Sequence, residues 1–106
     1  MAFAVVAGPE APDAHAGSAE YFCVQEIAAA WGNCFGNAHN LTAVHAWGIE
    51  HSACSNAYLN GFVGEWKCAP TGTWSNAFFD GSRFMTPVIH NNTGSINHYT
   101  GLSEFP

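Results

Sequence analysis

The sequence predicts an α+β fold: two N-terminal helices followed by a small antiparallel sheet, stabilised by two disulfides. Three observations predict it. Apolar residues recur at helical spacing through the first half. Short aromatic-rich runs separated by turn dipeptides fill the second half. Cys23, Cys34, Cys54 and Cys68 form an even set in a chain of 106 residues. That length suits a single small domain, 1–106, with 1–17 as an N-terminal arm and connector. Residues 18–60 then read as mainly helical, and 61–106 as mainly short strands and loops.

The elements follow in order. Residues 2–7, AFAVVA, read as a short strand or apolar arm, and the prolines and glycines of 8–17 read as a connector. Over 19–31, Cys23, Ile27, Ala30 and Trp31 fall on one side of a helix. Ser18 is its N-cap, Glu20 sits in the first turn where the dipole favours an acid, and Gly32-Asn33 stops it. A second helix is expected from Leu41 to Leu59, capped by Asn40, with Leu41, Val44, Gly48, His51, Cys54 and Tyr58 on one face and Trp47 beside it. Gly48 would mark a kink or a close helix approach there. Asn60-Gly61 ends that segment. Residues 62–68 and 73–79 read as paired strands around Ala69-Pro70-Thr71-Gly72, and Asp80-Gly81 as a turn before Arg83-Phe84-Met85. Pro87 to His90 reads as a further strand, closed by Asn91-Asn92-Thr93-Gly94, and the tail as a last short one. No internal repeat supports a propeller or trefoil.

The cysteine spacings of 11, 20 and 14 contain no Cys-x-x-Cys motif. Two disulfides of open connectivity are therefore expected, and with them a secreted or extracellular location. Met1 to Gly8 lacks a basic n-region and is not a complete signal peptide, so a removed leader, another export route or cysteines that stay reduced are the alternatives, and whether Met1 is native stays open. Asn40-Leu41-Thr42 and Asn91-Asn92-Thr93 match the glycosylation sequon.

Charge narrows the partners. Only 9% of residues are charged, and Lys67 and Arg83 stand against eight acids for a net −6. This disfavours nucleic acid, whose binding needs clustered cations, and a polybasic membrane contact. No stretch approaches the roughly 18 apolar residues of a membrane span, so no membrane insertion is expected. Nine asparagines, seven serines and six threonines supply polarity without charge, alongside four tryptophans. Amides pair with hydroxyls and indoles pack on the C–H faces of sugar rings. The expected function is thus a non-catalytic carbohydrate-binding protein, a small lectin, recognising a neutral saccharide or glycoprotein glycan. A homodimer would make weak sites bivalent.

The expected sugar site draws on two loops. Trp74, Asn76, Asp80 and Arg83 come from one, and Asn92, His98 and Tyr99 from the other. Asp80 would accept from sugar hydroxyls, Asn76 or Asn92 would donate and accept, and Trp74 or Tyr99 would stack. Trp31, Trp47 and Trp66 read as core residues. His39, His45 and His51 recur every six residues and point three ways on a helix, so no metal or other cofactor is implied. An alternative is a secreted effector, toxin or inhibitor acting by protein contact, because interface cores are poor in lysine and glutamate.

A third reading is a small acidic secreted ribonuclease. Glu50 or Glu65, His90 or His98, and Arg83 supply a base, an acid and a phosphate-binding cation. In size, acidity and cysteine number the chain resembles the small acidic fungal guanyl-specific ribonucleases. That resemblance implies a helix followed by a sheet carrying, in order, His39 or His45, Glu65, Arg83 and His90. The family's cystines reach the chain ends, whereas here all four cysteines lie between 23 and 68.

Overall fold

The computed structural model describes residues 18–106, and among them every regular element is a β-strand. The expected arm and connector lie outside the described residues. The strands are β1 (Ser18–Ala28), β2 (Asn33–Phe35), β3 (His39–Gly48), β4 (Ala53–Tyr58), β5 (Lys67–Ala69), β6 (Ala77–His90) and β7 (Asn97–Phe105). The α+β expectation is therefore corrected to an all-β, seven-stranded antiparallel sheet with two disulfides. Its order is β1-β7-β3-β6-β4-β5, with β2 also paired to β6. The N-terminal half of β6 pairs with β3, and its C-terminal half lies between β2 and β4.

Two sequence features made strands look helical. In β1 the register jumps between Phe22 and Glu26, where three residues face the single Thr100 of β7. Cys23 and Gln25 take positive φ there, and the Gln25 N–H donates to Thr100 Oγ1 at 2.9 Å. This bulge breaks the alternation of two and leaves apolar residues three and four apart. In β3 every residue from Ala43 to Gly48 is buried, so no polar face marks the pleat. A strand covered on both sides reads as a continuous apolar run, which period alone does not separate from a buried helix. Gly48 is no helix kink. A Cβ there would run into the His51 carbonyl oxygen, so the tight passage from β3 to β4 requires glycine.

The expected pairing of 62–68 with 73–79 does not form. β5 pairs with β4, and β6 pairs with β3. The Asp80-Gly81 signal marks an irregularity inside β6 rather than a hairpin. Leu41 faces Arg83 and Ala43 faces Phe78, so four residues of β6 bulge opposite Thr42, with Gly81 at φ 66°. Asn60-Gly61 follows a strand and not the expected helix: both residues have positive φ and reverse the chain after β4.

The main core gathers Phe22, Leu41, Val44, Met85, Ile89 and Tyr99 with small alanines. A second cluster joins Trp47, Trp74 and Leu102 on the opposite side of β3. The segment before β6 covers that side, bridging Trp74 to Trp47 and donating from the Ser75 N–H to the Ala46 carbonyl at 2.8 Å.

The disulfides pair Cys23 with Cys34 and Cys54 with Cys68. The first ties the β1 bulge to β2, two strands that are not neighbours in the sheet. The second crosses directly between β4 and β5. Replacing Cys23 and Cys34 together by serine is expected to cost about 2–4 kcal/mol in urea unfolding. A loss below about 1 kcal/mol would mean that core packing alone holds the bulge on β2.

Candidate functional site

The residues of the two expected sugar-binding loops are given separate partners by the fold. Trp74 is buried against Trp47 and Tyr21, with ring centroids 6.3 and 6.5 Å away. Tyr99 is buried in the main core, and its phenol is pushed up to about 12 by burial and then by the charge of Glu26. Asn76 Oδ1 lies 2.9 Å from His45 Nδ1. Asn92 Oδ1 accepts from Ser52 Oγ at 2.6 Å. His98 Nδ1 meets Glu50 Oε2 at 2.9 Å, and the His98 N–H donates to Glu50 Oε1 at 2.6 Å. That backbone bond is the main reason the Glu50 carboxyl lies below its ordinary value. Asn91 of the second sequon is buried, its amide donating to the Ala29 and Ser95 carbonyls at 3.0 and 2.8 Å.

Asp80 and Arg83 of the expected site line one pocket. It has about 520 Å3 and is lined by Asn56, Glu65, Lys67, Phe79, Asp80 and Arg83 among others. Among the described residues it gathers both Lys67 and Arg83 and the two acids Glu65 and Asp80, whose formal charges balance. Glu65 and Arg83 of the ribonuclease reading both line it, but no histidine among the described residues does. His90 Nδ1 instead lies 2.6 Å from Asn33 Oδ1, and His39 Nε2 lies 3.0 Å from Glu20 Oε1. Among the described residues no three His, Cys, Asp or Glu side chains could hold a metal ion, and no helix is long and apolar enough to cross a membrane.

A different surface emerges from residues that sequence reasoning passed over. The reversal at Asn60-Gly61 lays Phe62 back beside Tyr58 in an isolated bridge. The Val63 N–H donates to the Ala57 carbonyl at 2.8 Å and anchors the returning chain. Val63 turns against the core, and Asn56 Nδ2 clamps the Gly64 carbonyl at 2.9 Å. With Val63 turned inward, Phe62 stays 45% exposed. The result is an unbroken file of rings. Phe35 meets Tyr58 edge-on at 5.9 Å, Tyr58 meets Phe62 edge-on at 5.4 Å, and Phe62 meets Trp66 at 4.9 Å. Trp66 meets His90 at 4.9 Å. Phe35 and Tyr58 are also exposed, while Trp66 and His90 are half-buried.

Trp66 is thus not the core residue expected, and neither is Trp31, which is 61% exposed. Burial lowers the His90 imidazole below its ordinary value against a smaller opposing effect of the Gly32 carbonyl. The file therefore ends in a neutral ring at neutral pH. One signal for it was present: Tyr58, Phe62 and Trp66 are spaced four apart across the Asn-Gly turn.

Compared with protein-family models, with curated proteins and with solved structures, the chain matches none.

Proposed function

We propose that the protein binds neutral saccharides without catalysis, through the ring file Phe35–Tyr58–Phe62–Trp66–His90. The observation that carries this reading is the file itself: five rings in unbroken contact at the surface of a chain with only 9% charged residues. Rings bury the C–H faces of sugars, and neutral amides such as Asn33 at the His90 end pair with hydroxyls. Adjacent rings turn by 88° and 82° at Tyr58, so the file is corrugated. That shape suits a twisting glycan chain, free or on a glycoprotein, better than a flat crystalline one. Two disulfides fit a secreted protein working in an oxidising compartment.

Binding of the labelled, oxidised protein to a broad glycan array, with competition by soluble sugar, tests the reading. Tyr58→Ala and Trp66→Ala are each expected to weaken a competed signal about tenfold, the equivalent of one lost aromatic contact. A blank array from folded protein, or binding unchanged in both variants, overturns it.

A second reading, protein contact, is favoured by a separate observation. Ile27, Trp31, Phe84 and Ile96 are each more than 60% exposed, an unusual load for so small a surface. A homodimer is the simplest form of such contact, and sedimentation over a range of concentrations would detect it.

A further inference from the structure

We propose that the pocket lined by Asp80 and Arg83 binds a free α-amino acid, held by its carboxylate and its ammonium group together. The pocket shares no residue with the ring file, and the proposal does not depend on the saccharide reading. Its volume of about 520 Å3 lies inside the range for small organic ligands.

Its charges are the unusual feature. The chain has only two Lys or Arg residues, and both line this pocket. Glu20, Glu50 and Glu104 each pair with a histidine elsewhere. Lys67 and Arg83 form no ion pair or side-chain hydrogen bond among the described residues, and neither do Glu65 and Asp80. Four charges of both signs therefore line one space without neutralising one another. Two local devices place them. Asn56, itself 1% exposed, donates from Nδ2 to the Gly64 carbonyl at 2.9 Å and fixes the chain that presents Glu65 and Lys67. In β6, Gly81 at φ 66° lies in the bulge between Asp80 and Arg83. Each of these two segments contributes one acid and one cation.

Those charges select the ligand. A ligand of one sign meets like charge here as well as opposite charge, whichever sign it carries. A zwitterion finds a partner for each of its groups: its carboxylate pairs with Lys67 and Arg83, and its ammonium with Glu65 and Asp80. In a free α-amino acid both groups sit on one carbon, so a short ligand reaches both sets. Val63 and Phe79, half-buried against the main core, line the same pocket and offer apolar contact to an aliphatic side chain. The four charged residues are exposed, so each pairing is weak and selectivity, rather than strength, is the mark of the site.

The test titrates L-leucine into the isotopically labelled, oxidised protein at about pH 6 and low salt, and follows the backbone amide signals. Leucinamide keeps the ammonium without the carboxylate, and N-acetylleucine keeps the carboxylate without the ammonium. The two also stand for the two ends of a peptide. Saturating shifts at the pocket residues and their neighbours are expected for leucine, with each analogue at least about threefold weaker. Lys67→Gln/Arg83→Gln is expected to bring leucine to the level of leucinamide, and Glu65→Gln/Asp80→Asn to bring it to the level of N-acetylleucine. All four positions are exposed, and unchanged amide signals away from the pocket check that both variants keep the fold. The comparison of leucine with its analogues needs no variant and decides by itself if they do not. No shift, shifts elsewhere, an analogue that binds as well as leucine, or a preference that survives in both double variants each overturn the proposal.

Discussion

His45→Leu lowers the unfolding free energy by about 3–5 kcal/mol, as measured by urea denaturation at pH 7. The substitution removes the partner of a carboxylate that is 4% exposed and leaves it buried without compensation. It also strips a donor from the Ser75 carbonyl, which receives the His45 Nδ1–H at 2.9 Å. Glu104→Leu should cost less, about 1–3 kcal/mol, because a neutral imidazole is cheaper to leave unpaired than a charge. The double variant His45→Leu/Glu104→Leu is expected to recover most of the loss, since replacing both members of a buried pair by packed apolar groups is often close to neutral. Single-variant losses within about 1 kcal/mol of the wild type would show that water already reaches Glu104, and the pair would then be worth no more than a surface one.

Phe22→Ala should cost about 3–5 kcal/mol, the second large effect. Its ring is buried in the main core and held between two glycines. A Cβ built on Gly101 would lie 2.6 and 2.7 Å from the Phe22 Cε atoms, and one on Gly36 would lie 2.7 Å from its Cγ. The ring fills the space where two side chains are missing, so removing it opens a cavity between β1, β7 and the chain after β2. Gly101→Ala in the wild type is expected to cost about 1–3 kcal/mol by overpacking. Joined to Phe22→Leu, the same alanine should cost measurably less than the sum of the two single changes. Strict additivity in that cycle would place the ring elsewhere.

How much of this was legible in the sequence depends on the range over which each signal acts. The even set of cysteines pointed to two disulfides, but pairing 23 with 34 and 54 with 68 depends on which strands meet. Asn60-Gly61, read as a helix end, and Asp80-Gly81, read as a turn, both contain a residue of positive φ. Only the first is a chain reversal. The second is absorbed within β6, because β3 supplies hydrogen-bonding partners on both sides of it. The helical reading of 19–31 failed at Cys23 and Gln25, whose positive φ values shift the alternation of β1. The reading of 41–59 failed because β3 is buried on both faces, under residues more than twenty positions away in sequence.

The candidate sites divide in the same way. Trp74 and Tyr99 carried the chemistry expected of a sugar site, yet both were spent on packing. Burial is set by what covers a side chain, and the chain that covers Trp74 includes Tyr21 and Trp47, distant in sequence. The ring file draws Phe35 from β2, Tyr58 from β4 and His90 from the end of β6, and no spacing rule joins those three. The partnership of His45 with Glu104 spans 59 positions.

Composition alone settled the low charge, the excess of neutral amides and aromatics, and the even cysteine count, because these are sums over residues and do not depend on arrangement. Turn positions at Asn60-Gly61 were also local, since φ preference acts within a residue or two. The choice of strand over helix, the disulfide partners, the exposed rings and the buried His45–Glu104 pair were decided by tertiary structure. Each of them rests on hydrogen bonds and covering contacts between segments far apart in the chain, and in an antiparallel sheet those long-range contacts determine what every local pattern becomes.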